Sequence, residues 1–286
     1  MKVKYYLLSI AVMGMLSACS GEKKESATTD GQASTEKKVE EDQPTGDVFI
    51  YTPEHRHNKI QPDKAKVLIS KKLTSINTKE FSGNTNIEEI WVGSQVQHIA
   101  NEAFFACTSL KNLHMPGPLP VINDEAFVGC SALEELKCDV YTIGINTFKD
   151  CTSLKSVIMG EHAYWIRVGA FYNCKSLKKL ILADTMSKLD DGAFEGCTSM
   201  EELSIPNDFK NRMFGMFPNP EKFRKVYLLT TEYYPMPKNC KPNNQCTLYV
   251  PDAFLQQFKA DEQWCQFGSI EPMSKSQYYT KEGFLK

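Results

Sequence analysis

A chain of 286 residues, 42% of them hydrophobic and 24% charged, can bury a large core and has room for one or two domains. Its 33 basic and 35 acidic residues nearly cancel, so it lacks the basic footprint that nucleic acid requires. The one long apolar run, residues 5–16, is too short to span a bilayer and is followed by small residues.

That run reads as the centre of an export leader. Lys2 and Lys4 supply the charged start, and Leu16, Ser17, Ala18 and Cys19 form the cleavage region. The ending resembles the bacterial lipobox, whose cysteine becomes the acylated first residue of the mature chain; an ordinary leader with a chance cysteine is the alternative. The resemblance implies a signal peptide over residues 1–18 and a lipidated Cys19. Loss of Lys2 and Lys4 then leaves 31 basic residues against 35 acidic ones. Each buried methylene contributes roughly 0.8 kcal/mol and a single acyl chain holds only reversibly, so two or more chains are needed on Cys19. Ser20 stands where an aspartate would favour inner-membrane retention, which points to the outer membrane or cell surface of a Gram-negative bacterium. Residues 19–46 have almost no large apolar side chains and cannot offset their ordering entropy, so a disordered tether is expected. The folded body is assigned residues 47–273, and residues 274–286 form a tail without a clear structural role.

From residue 76 the chain repeats itself, the feature to seek before secondary structure. Ile99, Ala103, Phe104, Cys107, Leu110 and Leu113 recur as Ile122, Ala126, Phe127, Cys130, Leu133 and Leu136, and again over 143–159, 166–182 and 189–205. An earlier copy has Asn84 at the cysteine position, and a later one has Pro220 there. The phenylalanines fall at 81, 104, 127, 148, 171, 194 and 217, every step 23 residues except one of 21. In each copy a run such as Leu177, Leu180 and Leu182 ends in a short strand whose alternate residues point inward. The segment from Ala170 to Cys174 and its equivalents make a compact turn or short helix with Phe and Cys inside. One unit cannot hide its own apolar face, but stacked units can. Residues 206–216 depart from the template, with Asn211, Arg212 and Met213 where apolar residues are expected.

The pattern Ile99, Ala103, Phe104, Cys107, Leu110, Leu113 and Pro116 resembles the leucine-rich repeats of bacterial surface proteins of the BspA-like class, over roughly residues 67–251. The resemblance implies an α/β repeat solenoid, a leucine-rich-repeat-like right-handed coil. A parallel sheet would line its concave side, with short helical or turn segments on the other faces. Strands are expected at 67–69, 90–92, 113–115, 136–138, 157–159, 180–182, 203–205, 226–228 and 248–250, a stack of roughly 40 Å at about 4.8 Å per strand. Residues 48–66 are expected to cover one end. Pro251, Phe254, Leu255, Phe258 and Trp264 predict an amphipathic capping helix at the other.

The strand pattern also predicts which residues face outward on the concave sheet. One column reads Trp91, His114, Lys137, Ile158, Ile181, Ser204, Tyr227 and Tyr249; its neighbour includes Glu89, Asn112, Glu135, Ser156, Lys179, Glu202 and Lys225. Ile158 and Ile181 side by side, with aromatics at both ends, are either a contact strip or strand residues covered by a loop. Tyr164 and Trp165 are either exposed or packed between coils.

Catalytic, metal and cofactor sites are not expected. The ladder cysteines, Cys107, Cys130, Cys151, Cys174 and Cys197, lie side by side, whereas a disulfide needs facing Cβ vectors, so buried free thiols are predicted. Their spacing does not converge four metal ligands on a point. Cys240 and Cys246 could bridge or stay free, and the His55 and His57 pair fits a solvated loop better than a metal site. No phosphate loop, Gly-x-Ser-x-Gly or His-Glu-x-x-His motif is present. Together these readings predict a non-enzymatic, lipid-anchored surface protein whose concave face, Trp91, His114, Lys137, Ile158, Ile181, Tyr227 and Tyr249 with Glu89, Glu135 and Lys179, binds a protein or peptide; the family resemblance implies adhesion to host or bacterial surface proteins, and a purely structural envelope role stays open. Glycan binding by Trp91, Tyr227 and Tyr249 is the alternative, and an enzyme of unrecognised site is third. Nucleic acid is not expected as a partner, and the membrane is met only through the lipid.

Overall fold

The structure, a computed structural model, describes residues 44–209, 219–238, 240, 243–280 and 283–284. The leader, Cys19, most of the tether, and Phe217 with Asn211, Arg212 and Met213 lie outside the described residues.

The repeat template folds into a parallel β-solenoid. Strands Lys66–Ile69, Glu89–Trp91, Asn112–His114, Glu135–Cys138, Ser156–Met159, Lys179–Ile181, Glu202–Pro206, Lys225–Leu229 and Thr247–Val250 fall at the nine expected places. Each residue pairs with its equivalent one coil later, as Ser156, Val157 and Ile158 do with Lys179, Leu180 and Ile181. Register is therefore set by the repeat length. Val48–Tyr51 adds a parallel strand at the first end and Ser269–Pro272 one at the last. The ladder divides into a four-stranded sheet, from Val48–Tyr51 to Asn112–His114, and a seven-stranded sheet from Glu135–Cys138 onward. The break falls beside a corner holding Pro116, Pro118 and Pro120, which have no N–H to donate.

A second wall was not expected. Ser75–Ile76, His98–Ile99, Leu119–Ile122, Val140–Ile143, Trp165–Ile166 and Lys188–Leu189 form a six-stranded parallel sheet at the side of the stack. Its inward column is the repeat isoleucine, with Ile76 pairing Ile99, Ile99 pairing Ile122 and Ile166 pairing Leu189. Strands of two to four residues are too short for an alternating pattern to show in sequence. The third wall is built of turns. Two residues per coil have positive φ: one before the Ala-Phe position, such as Glu102 (54°) or Asn146 (53°), and one before the cysteine, such as Asp150 (59°), Asn173 (60°) or Gly196 (80°). Asn, Asp and Gly tolerate that conformation best. Gly196 also has no room for more, since a Cβ there would lie 2.6 Å from Asn173 Oδ1.

Inside, Phe81, Phe104, Phe127, Phe148, Phe171 and Phe194 are buried and stack in sequence with ring centroids 5.1, 4.9, 5.1, 5.3 and 5.2 Å apart. Beside them runs the cysteine ladder. Each thiol donates to the carbonyl of the phenylalanine one coil back: Cys107 to Phe81, Cys130 to Phe104, Cys151 to Phe127, Cys174 to Phe148 and Cys197 to Phe171, at 3.1–3.3 Å. All five are free. Burial pushes the Cys107 thiol pKa up to about 12, and raises those of Cys130, Cys151 and Cys174 as well. Where the ladder begins, Asn84 takes the cysteine position and its Nδ2 donates back to Pro62 O at 3.1 Å. The side chain differs, yet the backward hydrogen bond is kept.

Both ends are closed by aromatic residues. Tyr51 meets Phe81 edge-on at 4.8 Å, and its hydroxyl donates to Glu80 at 2.9 Å. Arg56, in the short helix Pro53–His57, pairs with the same carboxylate through Nη2 at 2.8 Å. His55 is the capping-box residue of that helix and packs against Phe49 at 4.7 Å, so it is occupied structurally. At the far end the expected helix is broken into Asp252–Phe254, Leu255–Ala260 and Trp264–Gln266. Asp261 ends the middle piece in an extended conformation, and its Oδ1 accepts from the amides of Gln263 and Trp264. Phe258 and Trp264 still reach the core, with ring centroids 5.3 Å apart.

Replacement of one central ring tests the stack. Phe127→Ala should lower unfolding free energy by about 3–5 kcal/mol, measured by urea denaturation. A loss no larger than that of an exposed substitution would contradict the ladder.

Candidate binding face

The register places one outward residue per strand in a continuous column. On the four-stranded sheet it reads Ile50, Leu68, Trp91 and His114. On the seven-stranded sheet it continues through Lys137, Ile158 and Ile181 and, further on, Ser204, Tyr227, Tyr249 and Glu271. The phase expected from the sequence is correct, but three of the residues, Ile181, Ser204 and Tyr227, are not exposed.

Ile181 and Tyr227 are buried, at 0% and 1% relative exposure. The cause is the segment that follows the last strand. Met273 and Tyr278 fold back over the sheet and form a separate apolar cluster with Ile181, Tyr227 and Leu229, against which Ile158 and Tyr249 pack. Tyr278 meets the Tyr227 ring edge-on at 5.4 Å and 87°, and the Lys179 ammonium lies 5.7 Å from the Tyr278 ring centre. The Tyr278 hydroxyl raises the Lys179 pKa, against the opposing effect of burial. Tyr227 donates to Glu202 at 2.6 Å; burial and that carboxylate raise its pKa. Ser204 is buried too, its hydroxyl accepting from Leu182 N at 2.6 Å and donating to Leu182 O at 2.8 Å. The tail thus covers half of the face by burying apolar area, and Ile158 with Ile181 is not an open strip.

The four-stranded half has no such cover among the described residues. Ile50 is 53% exposed, and Leu68, Trp91 and His114 are partly exposed. Trp91 and His114 stack with centroids 4.5 Å apart and planes 6° from parallel. Lys66 pairs with Glu89 at 3.9 Å, and Asn112 donates to Glu89 at 2.8 Å. Glu135 and Lys137 stand exposed at the inner boundary. Sequence reasoning missed Ile50 and Leu68, which lie before the first full copy of the template. The signal was the alternation of residues 48–51, in which Tyr51 is in phase with inward Ile69 and Ile50 with outward Leu68.

Other candidates resolve differently. Tyr164 and Trp165 lie half-buried on the outer side of the lateral sheet. Tyr164 stacks on Tyr141 at 4.8 Å, and Trp165 donates to Asp190 at 3.0 Å. Cys240 and Cys246 are both free and buried, and burial raises each thiol pKa to about 12. Among the described residues no group of three or more His, Cys, Asp or Glu is placed to hold a metal, and no helix is long and apolar enough to cross a membrane.

Comparison with known sequences gives a match to a family described as BspA type leucine rich repeat region, six copies over residues 63–162 and 135–233. No curated protein matches the chain significantly. Among solved structures it is similar to a leucine rich cell surface protein from Faecalibacterium prausnitzii A2-165. The identity is 20% and the TM-score 0.48, over 70% of this chain and 61% of that one, less than two thirds of its length. A leucine rich repeat protein of T. pallidum gives 18% identity and a TM-score of 0.41 over 70% of this chain and 84% of that one. One from Bacteroides ovatus ATCC 8483 gives 17% and 0.32 over 72% and 78%.

The tail contact has a direct readout. Tyr278→Ala should cost about 1–3 kcal/mol of buried apolar contact, increase binding of an apolar dye as Ile181 and Tyr227 become accessible, and speed proteolytic cleavage beyond Lys275. Unchanged dye binding and cleavage would mean that Tyr278 does not hold the cover down.

Proposed function

Because the chain belongs to the BspA-type leucine-rich repeat family, we propose that it is a non-enzymatic surface lipoprotein that binds a protein or peptide partner through the open half of its sheet face. The observation that carries this is the uncovered column Ile50, Leu68, Trp91 and His114. Apolar side chains in contiguous register, rimmed by Lys66, Glu89, Asn112 and Lys137, are the chemistry of an interface core with a polar rim. The covered half supports the same reading: there Ile181 and Tyr227 are buried against the side chains of Met273 and Tyr278. Trp91 is the expected energetic centre, since large aromatics dominate such contacts. A catalytic reading finds little support in the cysteines: the ladder thiols are packed among Phe side chains, and burial keeps those of Cys107, Cys130, Cys151 and Cys174 protonated near neutral pH. The glycan alternative loses Tyr227 and keeps Trp91.

Anchoring rests on the lipobox-like sequence ending at Cys19. Adhesion follows if the partner belongs to a host or bacterial surface.

Two experiments test this reading. The mature chain and its Leu68→Glu, Trp91→Glu double variant, matched for thermal stability, are used to capture proteins from surface extracts. A partner retained by the first and lost by the second is expected, and capture indifferent to both residues would reject the face. Binding to a glycan array that disappears in Trp91→Ala would favour the saccharide instead. For the anchor, Cys19→Ala should move the protein from the membrane fraction to the soluble one, and unchanged fractionation would refute lipidation.

A further inference from the structure

The two halves of the face carry similar side chains, two aliphatic residues followed by two rings, but the covered half has one further coil between the pairs. Along the open half the outward column is aliphatic, aliphatic, aromatic, aromatic: Ile50, Leu68, Trp91, His114. Along the covered half it is Ile158, Ile181, then Tyr227 and Tyr249, with buried Ser204 between. Each half ends in a parallel ring pair, Trp91 on His114 at 4.5 Å and Tyr227 on Tyr249 at 4.8 Å. Each half also carries a Lys–Glu pair in the neighbouring column, its lysine one coil before the ring pair in the open half and two coils before it in the covered half. Lys66, beside Leu68, faces Glu89 across the strands at 3.9 Å; Lys179, beside Ile181, faces Glu202 at 3.8 Å.

The covered half shows what that arrangement holds. Its occupant touches the sheet through side chains: Met273 and Tyr278 enter the cluster, the Tyr278 ring stands edge-on to Tyr227, and the Lys179 ammonium lies 5.7 Å from the centre of the same ring. Edge-on aromatic contact and a cation beside the ring are both favourable because the ring face is negative and its edge positive. The open half offers equivalent groups: an aliphatic floor in Leu68, a ring pair beginning at Trp91, and Lys66 beside them. Lys66 keeps 39% of its side chain exposed; its ammonium donates to the Thr45 carbonyl at 3.1 Å and lies 3.9 Å from Glu89, so a ring would have to displace or share the exposed Thr45 contact.

We propose that the open half is a tyrosine-recognising face for a peptide segment, chemically similar to the face that the chain's own Met273 and Tyr278 cover. This rests on the partner-binding reading and specifies its ligand. The tyrosine ring stands on Trp91 and Leu68 with Lys66 against its face.

The chain itself supplies a probe. A fluorescent synthetic peptide matching residues 271–284 is titrated by anisotropy into the full mature protein, whose own tail remains in place. Saturable binding is expected. It should fall about two- to fivefold with Lys66→Ala, the range for loss of a cation beside an exposed ring. It should fall about tenfold or more with Trp91→Ala or with a peptide in which Tyr278 and Tyr279 are alanine, as expected for hot-spot aromatics. Amide exchange should slow on Lys66–Ile69 and Glu89–Trp91. No binding, binding indifferent to the peptide tyrosines, or binding only to a Tyr278→Ala chain would overturn the proposal, the last because only the covered face would then take tyrosine. Capture of a partner that depends on Leu68 and Trp91, with no peptide binding, would overturn tyrosine recognition and leave the wider reading standing. Loss of both would reject the face altogether.

Discussion

Each coil of this protein has an apolar side that only another coil can cover, and the rest of the structure follows from that constraint. Six phenylalanine rings at near-constant spacing and five thiols bonded one coil back make each unit depend on its neighbours. Free energy therefore accrues at interfaces between units and not within them. The two terminal units lack a neighbour on one side, and the chain resolves this with different material at each. Tyr51, held by Glu80 and Arg56, closes the first end; Phe258 and Trp264 close the last.

The same logic explains why the face is divided. Inward residues are chosen by the stack, whereas outward ones are free to vary, and here they include apolar runs on both sheets, separated by Lys137 and interrupted by Ser204. Exposed apolar strips of that kind are uncommon on isolated proteins and attract contacts. On the C-terminal half the chain meets this by laying Met273 and Tyr278 over Ile181, Tyr227 and Leu229. Among the described residues the N-terminal half keeps its column open, and the proposed binding is placed there because of that asymmetry.

How much of this was legible follows the repeat. Where a residue belongs to the 23-residue template, its environment could be read from its position: Phe127, Cys130 and Leu136 are buried as expected, and the nine face strands lie where the pattern puts them. The lateral sheet escaped because strands as short as Ser75–Ile76 carry no alternation of their own. Their pairing is visible only once the stack exists. The outward phase of Ile181 and Tyr227 was right and their exposure wrong, because burial there comes from Met273 and Tyr278, distant in sequence and outside the template. Ile50 and Leu68 were overlooked for a related reason: the cap strand carries the column without the repeat's Phe and Cys. The capping helix was broken by a local competitor, the Asp261 carboxylate, which takes the amides of Gln263 and Trp264.

The one shortened repeat shows where such a stack can change. Its two missing residues fall at the corner between Glu135–Cys138 and Val140–Ile143, now spanned by Asp139 alone. Yet Phe127 and Phe148 remain 5.1 Å apart. Asp139 makes the tight corner work by accepting from the His162 amide at 2.8 Å and pairing with its ring at 2.6 Å, while Gly160 leaves it space. Corner length is thus decoupled from ring spacing. Evolution or an engineer can shorten or enlarge a corner, or splice in a whole coil, and the disturbance stays local. Each added coil would lengthen the strand face by one strand, so the extent of that face becomes a matter of how many units are copied.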